Sequence, residues 1–397
     1  MPPVLSSLSL QLLIGSLIPT PAPETLTRAL TGVTVTCGTN APSGFQLTFH
    51  AERFGSGRDE PLLATGLLKP HDRVILLVTI NGTPRVLMDG FVTRQEYTPG
   101  GRQGSTLVVT GEDVSLKMDM FEISFQWPFM MDFMIAAAVL AKYLVLGIVP
   151  IIIPTINSLV PMDHVPAQNS TDRKYLHQLA GQNGCLFYIE PGPFTGMNRA
   201  YWGPPIRIGT PQKALSVDLG PFSNVDSISF SYDGTSPTTT YGLVNQWPLP
   251  VPIPVAIAAT TRLPPLAANP ALGNYLGLLA NPLSFLTDLL TLKVRGSLFQ
   301  HQGRNVIESY ALAQLATDTS VDQVITVQGS LDTVRYGDIL RAPGLVAVRG
   351  AGTSYDGLYL VDQVTHKIST RMNAWEYKQD FNLTREGLGT TVQEVAS

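Results

Sequence analysis

The chain has 397 residues, a formal net charge of −4 and 44% hydrophobic residues, enough to build a large core. Only 14% of residues are charged, below the usual quarter, so either the core is large or partners cover much of the surface. Without a basic excess there is no footprint for gripping nucleic acid, and 35 glycines with 31 prolines exclude a long helical protein.

The first 118 residues read as strands. Leu10 to Ile18 is apolar, but no Lys or Arg precedes it, so no signal peptide is expected. Val33, Val35 and Cys37 alternate with Thr34 and Thr36, and Phe45, Leu47 and Phe49 alternate with Gln46, Thr48 and His50. A period of two puts one face on a core and the other toward water or a neighbour. Val74 to Ile80, the turn Asn81-Gly82 and Arg85 to Phe91 form a hairpin pattern. Pro99-Gly100-Gly101 turns the chain into Ser105 to Thr110. Short strands joined by tight turns suggest a barrel or sandwich.

Residues 119–210 change character and read as an inserted α+β domain. Phe133 to Val160 carries one charge, Lys142, and is long enough to span a bilayer. Gly147, Pro150, Pro154 and the β-branched Ile151-Ile152-Ile153 interrupt it, so a buried helix over Met131 to Leu146 followed by an extended segment fits better. Ser170 and Thr171 are caps for a helix from Asp172 to Gln182, with Tyr175, Leu176 and Leu179 on one stripe. Gly184 ends it, and Cys185 to Ile189 reads as a strand.

Residues 211–397 return to strands, first over Ala214 to Tyr232. Pro248, Pro250, Pro252 and Pro254 alternate with apolar residues and predict an extended, polyproline-like path. Leu272 to Leu292 predicts one or two short apolar helices about Asn281-Pro282, an insertion suited to packing on something apolar. Asn305 to Ala316 predicts a helix with Val306, Tyr310 and Ala313 on one stripe. Strands are expected at Val324 to Val327, Asp338 to Leu340, Val346 to Arg349, Leu358 to His366 and Trp375 to Leu383, with glycine-marked turns of a small barrel between them.

Three stretches, taken in order, resemble a known family. The first runs from His164 to Thr171 and Asp172, through Tyr175-Leu176-His177-Gln178-Leu179-Ala180, to Gly184 and Phe187-Tyr188. The second is Tyr336-Gly337-Asp338-Ile339-Leu340 leading to Val346-Ala347-Val348-Arg349-Gly350-Ala351-Gly352. The third is Tyr355-Asp356-Gly357-Leu358-Tyr359-Leu360-Val361, Val364-Thr365-His366 and Phe381-Asn382-Leu383. They resemble the late control protein D family of phage tails and the hub part of VgrG proteins, over most of the chain and least at Met120 to Pro161 and Trp247 to Leu292.

The resemblance implies a mainly β fold of two tail-tube-like barrels with an inserted helix-containing domain. It implies a homotrimer whose six barrels form a pseudo-sixfold ring between a sixfold inner tube and a threefold spike. Because the chain stops at Ser397, the spike is expected to be a separate polypeptide. Further expected partners are a tube or tube-initiator protein, baseplate wedge proteins and a tape-measure protein or cargo in the lumen. The expected setting is a phage tail or phage-tail-like particle assembled in the bacterial cytoplasm. Phe133, Ile135, Leu140, Leu144, Ile151 and Ile153, with Leu276, Leu279 and Leu286, are candidates for a subunit interface or a buried insertion. Tyr175, Leu179, Gly337, Asp338, Gly350, Gly352, Asp356, Gly357 and His366 carry the family-like motifs.

No catalytic constellation emerges. His366 and Asp356 flank a strand, but no nucleophile sits in a GxSxG context and no paired carboxylates stand out. Gly350-Ala351-Gly352 precedes no helix, which disfavours phosphate binding. The cysteines, Cys37 and Cys185, lie far apart and out of metal spacing, as expected of free, buried thiols, and the six histidines are scattered. No enzyme activity, cofactor or metal is expected. Two other readings remain: a membrane-associated protein anchored through 133–160, and a β-rich carbohydrate-binding module, for which Tyr188, Tyr201 and Trp202 could form a platform, although core or interface packing is the favoured reading of these rings.

Overall fold

A computed structural model of the chain describes residues 8–16, 18–39, 42–51, 66–100, 104–154, 165–245, 251–273, 295–299, 306–371 and 374–391. Its first strands are β1 (Ser9–Gly15), β2 (Thr20–Pro21), β3 (Leu30–Gly38), β4 (Gly44–Ala51), β5 (Arg73–Ile80), β6 (Thr83–Thr98) and β7 (Ser105–Asp113), with a short helix α1 (Glu24–Ala29) before β3. They lie in the order β2-β1-β5-β6-β7-β4-β3. The expected alternation is seen: Val33, Val35, Phe45, Leu47 and Phe49 are all buried in one core with Leu107 and Val109. Burying each such side chain is worth ~1.5–3 kcal/mol. The β5–β6 hairpin closes at Ile80 and Thr83, and Asn81 and Gly82 both take positive φ, 52° and 79°, the geometry of a two-residue hairpin turn.

The middle region has β8 (Glu122–Gln126), α2 (Asp132–Ala141), β9 (Ile148–Ile152), β10 (Ala167–Thr171), α3 (Asp172–Gln182), β11 (Leu186–Pro191) and β12 (Asn198–Gly203). β8 pairs with β10, and β9 runs parallel to β12, which pairs with β11. Thr171 caps α3 as expected, accepting from the Lys174 N–H, and Tyr175, Leu176 and Leu179 are buried. The predicted helix 131–146 is shorter than expected. It ends at Ala141, tightens into a 3-10 turn over Leu144–Leu146, and Gly147 at φ 79° turns the chain into β9. A side chain there is barred, because a Cβ would lie 2.2 Å from the Gly196 carbonyl oxygen.

The last region has β13 (Gln212–Ser216), β14 (Ser227–Tyr232), β15 (Thr238–Asn245), β16 (Pro252–Ile257), β17 (Ala267–Pro270), β18 (Arg295–Phe299), α4 (Val306–Asp322), β19 (Ile325–Asp332), α5 (Thr333–Tyr336), β20 (Gly344–Arg349), β21 (Gly357–Arg371), β22 (Ala374–Arg385) and β23 (Gly387–Thr390). Three expectations are corrected. Pro252 and Pro254 lie in β16, paired antiparallel with β15, and not on a polyproline path. Asp338 to Leu340 is irregular: the Leu340 N–H is satisfied by the buried Gln379 side chain at 2.9 Å instead of by a strand. α4 runs six residues past its predicted end at Ala316, and its Tyr310 is 44% exposed. The predicted helices in 272–292 lie outside the described residues from 274 on.

β21 joins the two strand-rich regions. Its first part pairs with β20, its length pairs with β22, and Gln363 to Ser369 pair with Gly38 to Gly32 of β3. The result, among the described residues, is one 13-stranded sheet. The middle region is fastened to it by buried charge. Arg73 of β5 makes a two-pronged pair with Asp89 of β6 at 2.8 and 2.7 Å. It also donates to the Leu146 and Gly196 carbonyls at 3.4 and 3.2 Å. Truncating one partner strands the other's charge in the interior, so Arg73→Ala is expected to cost about 3–5 kcal/mol. Urea unfolding measures this, and a loss under about 1 kcal/mol would mean the pair behaves like a surface bridge.

Candidate functional site: a polar sheet face between two open edges

Eight strands of the large sheet form an unbroken run, β14-β19-β22-β21-β3-β4-β7-β6. Register fixes which side chains share its outer face, because directly opposed residues point the same way. Ser227, Ser229 and Ser231 of β14 oppose Ser330, Gln328 and Thr326 of β19. Gln328 and Ser330 oppose Asn382 and Asp380 of β22, which oppose Gln363 and Thr365 of β21. Across the join, Thr365 and Lys367 oppose Thr36 and Thr34. Thr34 leads to Gln46, then Thr110, then Arg94 of β6. On this face hydroxyls and amides dominate, and Val108 is an apolar exception among the opposed positions. The other face carries the buried Val35, Leu47, Val109, Val327, Val364, Phe381 and Leu383.

The groups of the polar face largely satisfy one another. The Ser227 and Ser330 hydroxyls are 2.9 Å apart and those of Thr36 and Thr365 3.3 Å apart. Lys367 pairs with Asp380 at 2.5 Å and Lys378 with Glu376 at 3.3 Å. Arg94 pairs with Glu96, and Glu112 is held by Arg173 from α3 at 2.6 Å. These are mostly solvent-exposed pairs, so Lys367→Gln is expected to change stability by less than about 1 kcal/mol in thermal unfolding.

Both ends of the run are open. Among the described residues β14 pairs with β19 alone, and the Thr93 to Thr98 half of β6 pairs with β7 alone. Each therefore offers unpaired backbone N–H and C=O groups, a template for another strand.

The candidates picked from sequence fall in different places. Ile135 and Leu140 of α2 are fully buried in the middle region's own core, and Phe133 packs against it. Ile151 is half-buried, while Leu144 and Ile153 are 52% and 41% exposed. Leu276, Leu279 and Leu286 lie outside the described residues. Tyr188 and Tyr201 are buried and stacked on each other at 5.0 Å, and Trp202 is fully buried. These rings are packed inside, the favoured reading of them, and do not form a sugar platform.

The family-like motif residues build turns and packing. Tyr175 and Leu179 sit in the middle core. Gly337 caps α5 in the left-handed region, and Asp338 next to it pairs with Arg85 at 3.3 Å. Gly350 has φ 89°, and a Cβ on it would lie 2.0 Å from the Val217 carbonyl oxygen. The Gly352 carbonyl accepts from Tyr355 and Asp356, and Asp356 accepts the Ala351 N–H at 2.8 Å. Beneath this loop, ahead of Gly357, lies Arg385, a residue the sequence reading missed. Its guanidinium donates to the Ser354, Asp356 and Gly387 carbonyls at 2.9, 3.0 and 2.8 Å and stacks over Tyr359. A lone Arg at the end of an alternating strand gave no sign of that role.

His366 and Asp356 do not meet in a shared polar cluster. The imidazole is 2% exposed and bonds the Tyr377 hydroxyl at 2.9 Å. Burial, with Arg341 near it, lowers its pKa from 6.5 to about 3. Burial also raises both free thiols, Cys37 and Cys185, to about 12, which makes them poor nucleophiles. Among the described residues no group of three or more His, Cys, Asp or Glu is arranged to hold a metal, and no helix is long and apolar enough to cross a membrane.

No protein-family model and no curated protein matches the chain. Solved structures do. A tail protein from Neisseria meningitidis superposes with TM-score 0.61 at 12% identity, covering 96% of this chain and 98% of that one. The 43 kDa tail protein of prophage MuSo2 from Shewanella oneidensis gives 0.61 at 13%, covering 96% and 99%. The chain has the fold of phage tail proteins. A chain of the Francisella PdpA–VgrG complex shares this tail-protein fold, with TM-score 0.58 at 9% identity over 99% of this chain and 60% of that one. The likeness read from three sequence stretches is thus borne out at the level of fold, as is the mainly β class with a few helices.

His366 supplies a test within this fold. With its folded pKa lowered to about 3 against 6.5 unfolded, the unfolded chain takes up a proton first as pH falls. The stability contributed by neutral His366 is therefore full above about pH 6.5 and is lost as pH falls toward about 3. The His366 ring signal in NMR should not titrate between about pH 7 and about pH 4. A midpoint near the ordinary value would show the ring to be open to water.

Proposed function

We propose that the chain is a structural hub subunit in the baseplate of a phage tail or a related contractile injection particle, with no catalytic step of its own. In this reading residues 1–118 and 211–397 act as two barrel-like units, residues 119–210 are an insertion, and three chains form a pseudo-sixfold ring. The ring joins a sixfold inner tube to a threefold spike, with wedge proteins outside and a tape-measure protein or cargo in the lumen. It is assembled in the bacterial cytoplasm.

One observation carries the proposal: a continuous eight-strand run with an apolar inner face and a polar outer face, ended among the described residues by the open β14 and by the open Thr93–Thr98 half of β6. β3 and β21 already show an edge of one strand-rich region pairing with an edge of the other inside the chain. The same operation between chains would join β14 of one subunit to the Thr93–Thr98 half of β6 in the next. It would cover both edges and turn the polar face into the wall of a channel. Hydroxyls, amides and mutually paired charges give such a wall little to hold a passing polypeptide. The resemblance to tail proteins supports this assignment through the shared fold.

Light scattering after size exclusion is expected to give a trimer, and hydrogen exchange to show Ser227–Tyr232 and Thr93–Thr98 protected in it. A trimer with both segments unprotected would keep the hub and remove the strand-to-strand joint. A stable monomer would overturn the ring.

A further inference from the structure

Phe129 breaks two local rules at once. It follows Pro128 in the turn after β8 and holds φ at 59°, a region that glycine or asparagine normally fills and a bulky aromatic residue avoids. Its side chain is also 81% exposed, and Phe121 and Phe125 nearby in sequence are 79% and 52% exposed. At roughly 200 Å² per aromatic residue the three leave about 400 Å² in water. That is about half of what one partner contributes to a stable interface.

A partly open cleft of about 370 Å³ lies on the same chain, where the end of α3, α4 and the start of β21 come together. Leu186, Ile206, Leu315 and Leu360 stand in its wall, with Thr319 of α4. The charged groups of the wall are already engaged. Arg262 holds Asp322 at 2.9 and 2.6 Å, and Asp362 accepts the Thr39 hydroxyl at 2.5 Å. No free charge is left to select an ionic ligand, so the cleft suits an apolar group. Its volume is at the low end of the roughly 300–1,000 Å³ that takes whole small molecules, and ample for one aromatic side chain. No residue from 119 to 134 lines it, so Phe129 of the same chain does not fill it.

We propose that Phe129 of one copy inserts into this cleft of the next, as a second contact in the ring proposed above, on which this inference rests. Every copy carries both halves. Identical chains meeting head to tail therefore fill each cleft with a neighbour's ring, and a closed ring leaves none over. The neighbour's wall would also hold the turn in its left-handed conformation. The charged residues from 119 to 134 are Asp119, Glu122 and Asp132, all acidic, which disfavours an anionic lipid surface as the cover.

Photo-crosslinking of the full chain tests this, with a benzophenone amino acid in place of Phe129 and isotope-labelled copies mixed with unlabelled ones. Crosslinks from position 129 to the Leu315–Thr319 stretch of a second copy are expected. Phe129→Gly suits the positive φ and removes only an exposed ring, so it should keep the fold while weakening the trimer at least about tenfold in sedimentation. Thr319→Trp, which fills the cleft from an exposed helix position, should do the same. A trimer without that crosslink, one crosslinked only within its own chain, or one that Phe129→Gly leaves equally stable overturns this contact and leaves the ring standing. A chain that stays monomeric overturns both.

Discussion

The antiparallel pairing of β3 with β21 is the constraint on which the rest of the structure depends. It ties a strand some thirty residues from the start to one near the end, and sets the register of everything between. Because side chains alternate with period two, a slip of one residue by either strand at this join would turn its buried side chains, Val33 and Val35 of β3 or His366 and Ile368 of β21, onto the polar face and bring its polar ones into the core. Nothing of that kind is tolerable when both Val35 and Ile368 are essentially buried. One register therefore serves two cores at once, and the polar face is continuous because the apolar one has to be.

The local part of this design was legible in the sequence. Alternation marked β3 and β4, Asn81-Gly82 marked the hairpin, and Thr171 marked the start of α3. Each signal is carried by residues within a few positions of one another. The pairing of β3 with β21 has no such signal: hydroxyl-rich alternating strands look alike, and which two become neighbours is decided by tertiary packing. The three quoted stretches pointed to the fold only through their order along the chain.

Misreadings came where polar tertiary contacts replace apolar periodicity. The last turns of α4, Thr317 to Asp322, have Val321 as their one apolar residue among polar ones that include Asp318 and Asp322, so the apolar pattern stops at Ala316. Asp318 takes the Thr260 hydroxyl at 2.7 Å and the Thr261 N–H at 2.8 Å. Asp322 takes Arg262 through two bonds at 2.9 and 2.6 Å. These partners lie about sixty positions away in sequence, beyond any window-based reading of a helix. Apolar periodicity served better at α2: Met131 to Leu146 reads as a buried helix, and Ile135 and Leu140 are buried within their own region.

The two edges of the eight-strand run also differ from the margin formed by β16. β16, at the margin of its small sheet, carries Pro252 and Pro254, which remove backbone donors. β14 has no proline and no charged residue, only serines alternating with Ile228, Phe230 and Tyr232. The Thr93–Thr98 half of β6 has charge on its polar face but likewise no proline. A protein that avoided association along these strands would be expected to blunt them. Leaving both unblunted, on a face whose charges are already paired, is consistent with strands meant to be covered by copies of the same chain.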